Sequence, residues 1–161
     1  MRQTLMPALL WFSAIGCGLL AGVYFTFSAF VMTSLGRLAP AAGIEAMNAI
    51  NVDIVKSLFM PLFLGTSLSA LLLAIVGAFA WKEPGAIAMV AGGILYVLGM
   101  TIVTMAFNVP LNDALAAVAP ASTEGASLWA RYLAEWTWWN HVRTVACIAS
   151  FALFIVSIAQ R

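Results

Sequence analysis

Four long apolar segments dominate the pattern of hydrophobic and polar positions along the chain. They cover about residues 5–34, 57–81, 86–107 and 139–159. Each has at least about 20 residues, which is enough to cross a hydrocarbon core of about 30 Å at about 1.5 Å per residue. The pattern therefore predicts an all-α fold in which the whole chain, residues 1–161, forms one bundle of four transmembrane helices.

Shorter and more polar segments separate these spans, and two of them have helical periodicity. An amphipathic helix is predicted for residues 44–56, and a second amphipathic stretch from about Ser127 leads into the fourth span. The apolar stripe of the first consists of Ile44, Met47, Ile50 and Ile54. Pro61 is expected to kink the second span or mark its start. Asn108 is expected to end the third span and cap a short helix.

Four spans place the two long connections, residues 35–56 and 108–138, on one side of the membrane. Both termini and the turn at residues 82–85 then lie on the other side. Lys and Arg residues divide almost evenly between the sides, so the positive-inside rule favours a cytoplasmic short side only weakly. The first apolar run is too long for a signal peptide, and we expect it to remain as a span.

Composition supports a multi-pass protein of the cell membrane. The chain is 64% hydrophobic and 8% charged, whereas soluble domains carry about 25% charged residues. We therefore expect the lipid bilayer as a partner and leave homo-oligomerisation open. A net charge of +1 excludes a basic surface for nucleic acid. Cys17 and Cys147 lie in apolar runs, where a packing role is expected.

Polar residues in such an apolar chain are informative, because ionisable groups at membrane depth are expensive and often functional. Most lie at the ends of the spans on the side of the long connections, where they can converge on one cavity. They are Asn48, Asn51, Asp53, Asn108, Asn112, Asp113, Glu135, Asn140, His141 and Arg143. Helix capping and snorkelling can also explain such residues. Arg143 lies deepest, and we expect it to pair with Asp53, Asp113 or Glu135.

The single histidine, His141, limits the metal chemistry that is available. Membrane di-iron sites, bis-histidine haems and zinc sites need several His, Cys or carboxylate ligands. One haem held by His141 and a methionine remains conceivable. The chain has neither a glycine-rich phosphate loop nor a nucleophile elbow. We therefore assign no metal ligands and expect no cofactor.

Four segments occur together in an order that resembles the anthrone oxygenase-like family of small four-helix membrane proteins. They are residues 21–32 (AGVYFTFSAFVM), 46–51 (AMNAIN), 107–113 (FNVPLND) and 136–144 (WTWWNHVRT). The resemblance extends over nearly the whole chain. Some fungal members oxidise anthrones to anthraquinones, so the resemblance implies an oxygenase that needs no cofactor and acts on a small apolar aromatic substrate.

An anthrone has an acidic C–H that is flanked by aromatic rings and activated by a carbonyl, and its anion can react with O2 without a metal. Such chemistry needs a base, hydrogen-bond donors for the enolate oxygen and an apolar pocket. The resemblance thus suggests His141 as the base, with Arg143 and Asp113 as its catalytic partners. The residues expected to bind the substrate are Asn108, Asn140, Asn51, Tyr24, Trp138 and Trp139.

The sequence thus supports a membrane-embedded, cofactor-independent oxygenase as the first hypothesis. The main alternative is a non-enzymatic membrane protein, namely a small transporter, a lipid- or quinone-binding module or an assembly factor. A redox enzyme with a bound metal, haem or quinone is the third hypothesis.

Overall fold

Helices make up nearly all of the computed structural model, which describes residues 2–161, with side chains from Leu5 onward. The α-helices are α1 (Arg2–Thr26), α2 (Met32–Leu35), α3 (Pro40–Lys56), α4 (Phe59–Phe79), α5 (Ala86–Tyr96), α6 (Val109–Ala117) and α7 (Thr123–Ala159). Three π-helical segments, Phe27–Val31, Val97–Ile102 and Thr104–Asn108, join neighbouring α-helices into longer continuous helices.

Four of the resulting helices in the described part of the chain are long and apolar enough to cross a membrane. They are span 1 (Leu5–Leu35), span 2 (Phe59–Phe79), span 3 (Ala86–Ala117) and span 4 (Thr123–Ala159). The predicted all-α bundle of four transmembrane helices is therefore confirmed.

Three predicted helix ends differ from the structure. Span 3 does not end at Asn108, whose side chain makes no capping hydrogen bond, because the two π-helical segments carry the helix on to Ala117. Span 4 begins at Thr123 rather than near Ser127, since the Ser122 hydroxyl accepts a hydrogen bond from the Gly125 amide at 2.9 Å and caps the helix.

The start of α3 also lies earlier than predicted, at Pro40, a residue type that suits the first helical turn because its ring presets φ. Pro61 lies in the first turn of α4 and so marks the start of span 2. The predicted stripe of α3 is confirmed, with Ile44 and Met47 fully buried and Ile50 packed beside them.

The bundle has two apolar cores, which lie one after the other along its long axis. The larger lies among the four spans, where Leu20, Tyr24 and Phe154 are buried. The smaller brings α3, α6 and the first half of α7 together around Met47 and Tyr132. Both long connections therefore lie on the same side, as predicted, and the smaller core closes that end of the bundle.

The short turn lies at the opposite end, where it packs against the end of span 4. Gly85 adopts φ = +77°, a left-handed conformation that glycine tolerates best. A Cβ at this position would lie 2.6 Å from the carbonyl oxygen of Ser157. The turn thus needs glycine for two reasons, and it fixes span 3 beside span 4.

Candidate functional site

A cavity of about 180 Å³ lies between the two cores, beneath α3. All four spans and α3 contribute to its wall. Most of the lining is apolar, and the polar members are Tyr24, Asn51, Thr104, Asn112, Trp136 and Arg143. An apolar pocket with a few convergent polar groups is the usual form of a small-molecule site.

Arg143 is the only formally charged residue among those that line this cavity, and its side chain is just 4% exposed. Its guanidinium lies between two aromatic rings, with its central carbon 4.5 Å from the centroid of Tyr24 and 4.9 Å from that of Trp136. Both distances suit cation–π attraction, which is worth about 2 kcal/mol or more when the pair is desolvated. The rings thus hold the cation at the cavity wall.

The predicted ion pair of Arg143 with Asp53, Asp113 or Glu135 is wrong. In residues 5–161, whose side chains are described, the only ion pair joins Arg131 to Glu135 on the surface at 3.7 Å. The three candidate carboxylates are all exposed, where water solvates them better than a buried cation can. Rings and neutral oxygens surround Arg143 instead.

Asn140 fixes the position of Arg143. Its Oδ1 accepts a hydrogen bond from Arg143 Nη2 at 2.8 Å. Its Nδ2 donates to the carbonyl oxygen of Tyr24 at 2.7 Å and to Ser28 Oγ at 2.8 Å. Asn140 is fully buried and does not line the cavity. It therefore joins span 1 to span 4 and holds the guanidinium, and its contact with substrate stays a prediction.

His141 does not face the cavity, contrary to the geometry that its role as the base requires. Its ring is exposed, and its Nδ1 lies 2.9 Å from Ser28 Oγ. Position 141 points about 100° away from position 140 around the helix, which turns the ring toward span 1. Ser28 and Asn140 link it to Arg143 through hydrogen bonds. His141 thus lies at the outer end of a polar chain whose inner end is the cavity.

A second polar group, on span 3 and span 4, supports the cavity from the side of the smaller core. Asn112 Oδ1 accepts hydrogen bonds from Tyr132 Oη at 2.7 Å and from Trp136 Nε1 at 2.9 Å. Asn108, which is buried, donates from Nδ2 to the carbonyl oxygen of Trp136 at 3.2 Å. These bonds fix the Trp136 ring that packs on Arg143.

The remaining predicted residues divide between the cavity and the surface. Tyr24 and Asn51 line the cavity, and Asn108 lies behind its wall. Asp113 and Trp138 are exposed on the outside of the bundle. Trp139 stacks on Phe107 with centroids 3.7 Å apart and planes 8° from parallel, outside the cavity lining. The structure therefore brings Arg143, Tyr24 and Asn51 together and leaves Asp113, Trp138 and Trp139 apart.

Trp136, Asn112 and Thr104 all line the cavity. Sequence reasoning named Asn112 among the converging polar residues without assigning it to the site, and it did not select Trp136 or Thr104. Asn112 and Trp136 belonged to the recognised motifs, and helical spacing would have identified Trp136, which stands seven residues before Arg143 on one face of the helix. Thr104 Oγ1 lies 3.4 Å from Arg143 Nη1. No sequence pattern marks Thr104, because a π-helical segment changes the spacing around it.

Two donors at the cavity have no partner within the described residues. They are Arg143 Nε and Asn51 Nδ2, both shielded from solvent. A buried donor without an acceptor costs about 1–3 kcal/mol, and more when it is charged. In residues 5–161, no three His, Cys, Asp or Glu side chains lie close enough together to hold a metal ion. The site as described can thus hold an anionic oxygen on an otherwise apolar molecule.

One family model matches the chain, over residues 49–153, and its description is anthrone oxygenase. The match covers more than half of the chain and includes Asn51, Asn112, Trp136 and Arg143 of the cavity wall. No curated protein and no solved structure matches the chain.

Proposed function

We propose, from the premise that this chain belongs to the anthrone oxygenase family, that it is an oxygenase of the cell membrane that acts on enolisable aromatic compounds of the anthrone type. The observation that carries the proposal is the buried guanidinium of Arg143 at the wall of an apolar cavity, which no carboxylate within residues 5–161 neutralises. Burying this cation costs desolvation free energy. A buried cation without a neutralising partner suits a ligand that becomes an anion.

In the proposed reaction, the substrate C–H bond breaks and its proton passes to water, while the electron pair spreads onto the carbonyl oxygen. Arg143 stabilises this enolate oxygen, because a fixed cation in a dry site interacts far more strongly than it would in water. Asn51 offers a second donor. The rings of Tyr24 and Trp136 provide flat apolar walls for the aromatic part.

The enolate then passes one electron to O2, and the carbon radical and superoxide combine into a peroxide. A proton converts the peroxide to a hydroperoxide, which loses water to leave a new carbonyl group. One O2 is consumed for each substrate, one of its oxygen atoms enters the quinone, and the other leaves as water. Arg143 favours the electron transfer as well, since superoxide is also an anion.

His141 has no assigned step in this proposal, because its ring lies outside the cavity. Its hydrogen bond to Ser28 instead supports the Asn140 side chain that holds Arg143. Asp113 likewise has no assigned step. The proposed catalytic role rests on Arg143, and Tyr24, Asn51 and Trp136 form the proposed substrate contacts.

The experiment uses the purified protein in lipid nanodiscs with an anthrone and ¹⁸O2. We expect O2 uptake equal to the anthraquinone formed, ¹⁸O in the new carbonyl group, and a rate well above that in empty nanodiscs, which measure spontaneous oxidation. If the protein binds the aromatic compound but leaves the spontaneous rate unchanged, a non-enzymatic binding module replaces the oxygenase.

A further inference from the structure

The cavity at Arg143 opens at its side, where residues of its wall are also exposed. Val55 of α3 and Met105 of span 3 both line the cavity, yet they are 59% and 60% exposed. Residues that contact the cavity and the outside at once stand at its rim. Both are apolar, whereas none of the polar wall residues is exposed, and Tyr24, Trp136 and Arg143 are buried. The opening is therefore apolar and the inner end is cationic.

The rim lies on faces of the bundle that are exposed and apolar. Met105 belongs to a row of exposed apolar side chains on span 3, together with Leu98 and Ile102. Met60 of span 2 also lines the cavity, and Leu64, one turn along, is exposed. The exposed apolar side chains of these two rows are Leu98, Ile102, Met105, Leu64 and Leu68. Such rows on transmembrane helices face hydrocarbon, so the opening leads into the bilayer.

The size of the cavity limits what it can enclose. Its volume is about 180 Å³, and an apolar cavity of about 150 Å³ in another protein holds one benzene molecule. The enclosed part therefore accommodates one substituted ring. Any larger molecule that places its charged oxygen at Arg143 must extend through the opening between Val55 and Met105.

We propose that this site takes its substrate directly from the bilayer and binds it end-on. One ring with an acidic oxygen occupies the enclosed part, and an apolar extension stays in lipid through the opening at Met105. The substrate class is thus membrane-dissolved phenols and enolisable ketones with an apolar ring or chain. The inference rests on the proposed function for the acidic oxygen, while the route rests on the rim residues alone.

This arrangement has a simple energetic consequence for a substrate with a long apolar chain. The chain remains in hydrocarbon before and after binding, so it contributes little to affinity, and the protein need not enclose it. Only the ring exchanges lipid for protein, and the gain comes from the contact of its oxygen with Arg143. A site closed on all sides would exclude the same chain by steric clash.

The test measures binding of para-cresol and para-octylphenol, two phenols with the same acidic ring. Both lack the enolisable carbon, so binding is separated from O2 chemistry. Calorimetry compares loaded with empty nanodiscs, and affinity is expressed per mole of ligand in lipid. The variant Met105→Trp narrows the opening. Its matched control is Leu98→Trp, which places the same bulk on the same row of span 3, outside the cavity lining.

We expect the wild type to bind both phenols with Kd values within about 3-fold of each other. Met105→Trp should weaken the binding of para-octylphenol by about 10-fold or more, a change of about 1.4 kcal/mol, and leave the binding of para-cresol nearly unchanged. Leu98→Trp should affect neither. Three outcomes would overturn the proposal. The wild type excludes para-octylphenol, it binds neither phenol, or Met105→Trp affects the binding of both phenols equally.

These outcomes are independent of those for the oxygenase. If both phenols bind as expected but no enolisable ketone consumes O2, the oxygenase fails and entry from the bilayer stands. If an anthrone is oxidised while para-octylphenol is excluded, the oxygenase stands and entry from the bilayer fails.

Discussion

Replacing Arg143 by Met separates a role in stability from a role in catalysis. Methionine has a similar length and helix propensity but no charge. Removing a buried Arg from a structural ion pair costs about 3–5 kcal/mol of stability, because its partner is left charged and unpaired. Arg143 has no such partner within residues 5–161, so that penalty does not apply here.

The expected change in stability is a difference between opposing contributions. The variant loses the two aromatic contacts of the cation, worth about 2 kcal/mol each. It also leaves Asn140 Oδ1 without its donor, at about 1–3 kcal/mol. It gains relief from keeping a charge inside the bundle, which costs about 2.5–3.5 kcal/mol on insertion scales. We therefore expect the free energy of unfolding to fall by about 1.5–4.5 kcal/mol.

The expected effect on oxidation is a large loss of rate. Removal of one donor that stabilises a developing oxyanion lowers kcat by about 10²–10³-fold, or about 2.7–4 kcal/mol. Arg143→Lys keeps the charge but not the planar fork, so it should recover part of the rate. O2 uptake with an anthrone in nanodiscs gives the rates, and reversible unfolding in mixed micelles gives the free energies.

Arg131→Met is the matched control, since it changes the same residue type on the same helix at an exposed position. This variant should lower the free energy of unfolding by less than about 1 kcal/mol, the usual value of a surface ion pair, and leave the rate of oxidation unchanged. Oxidation by Arg143→Met within about 3-fold of the wild-type rate would refute the catalytic role. A loss of stability above about 5 kcal/mol, more than these contributions give, with Arg143→Lys as active as the wild type, would make the residue structural.

Two further variants test the surroundings of the site. His141→Gln should lower oxidation by less than about 10-fold, because the ring contacts Ser28 outside the cavity; a loss of about 10²–10⁴-fold, as for a general base, would restore His141 as the base. Asn112→Leu leaves the Tyr132 hydroxyl and the Trp136 indole N–H without their acceptor. The free energy of unfolding should therefore fall by about 2 kcal/mol or more, and unchanged stability would show that water replaces the amide.

The helical architecture could be predicted from the sequence with little ambiguity. Lipid leaves a chain few choices, because each backbone N–H and C=O must be satisfied within the membrane. Apolar runs of spanning length thus determine how many helices cross it, and α3 follows from the spacing of Ile44 and Met47. Helix ends were predicted less well. Asn108 illustrates this, since two π-helical segments carry span 3 beyond it.

The candidate site was predicted in part, and Arg143 shows why. A lone cation deep in an apolar run signals a function from sequence alone. Trp136 and Asn140 lie on its own helix, but Tyr24 lies on span 1, so a carboxylate partner from another span was a reasonable expectation. The fold instead places the Tyr24 ring of span 1 beside it, which spacing along span 4 cannot reveal.

His141 marks the boundary between what sequence and tertiary structure each determine. The sequence alone determines that the chain has one histidine, that it lies beside Asn140 and Arg143, and that the three belong to one end of a membrane bundle. Which of them faces the cavity depends on how span 4 is rotated against span 1, and that rotation is set by the packing of all four spans. Packing turns Arg143 inward and His141 outward, because positions two residues apart on a helix point about 200° apart, and only the assembled bundle decides which direction is the inside.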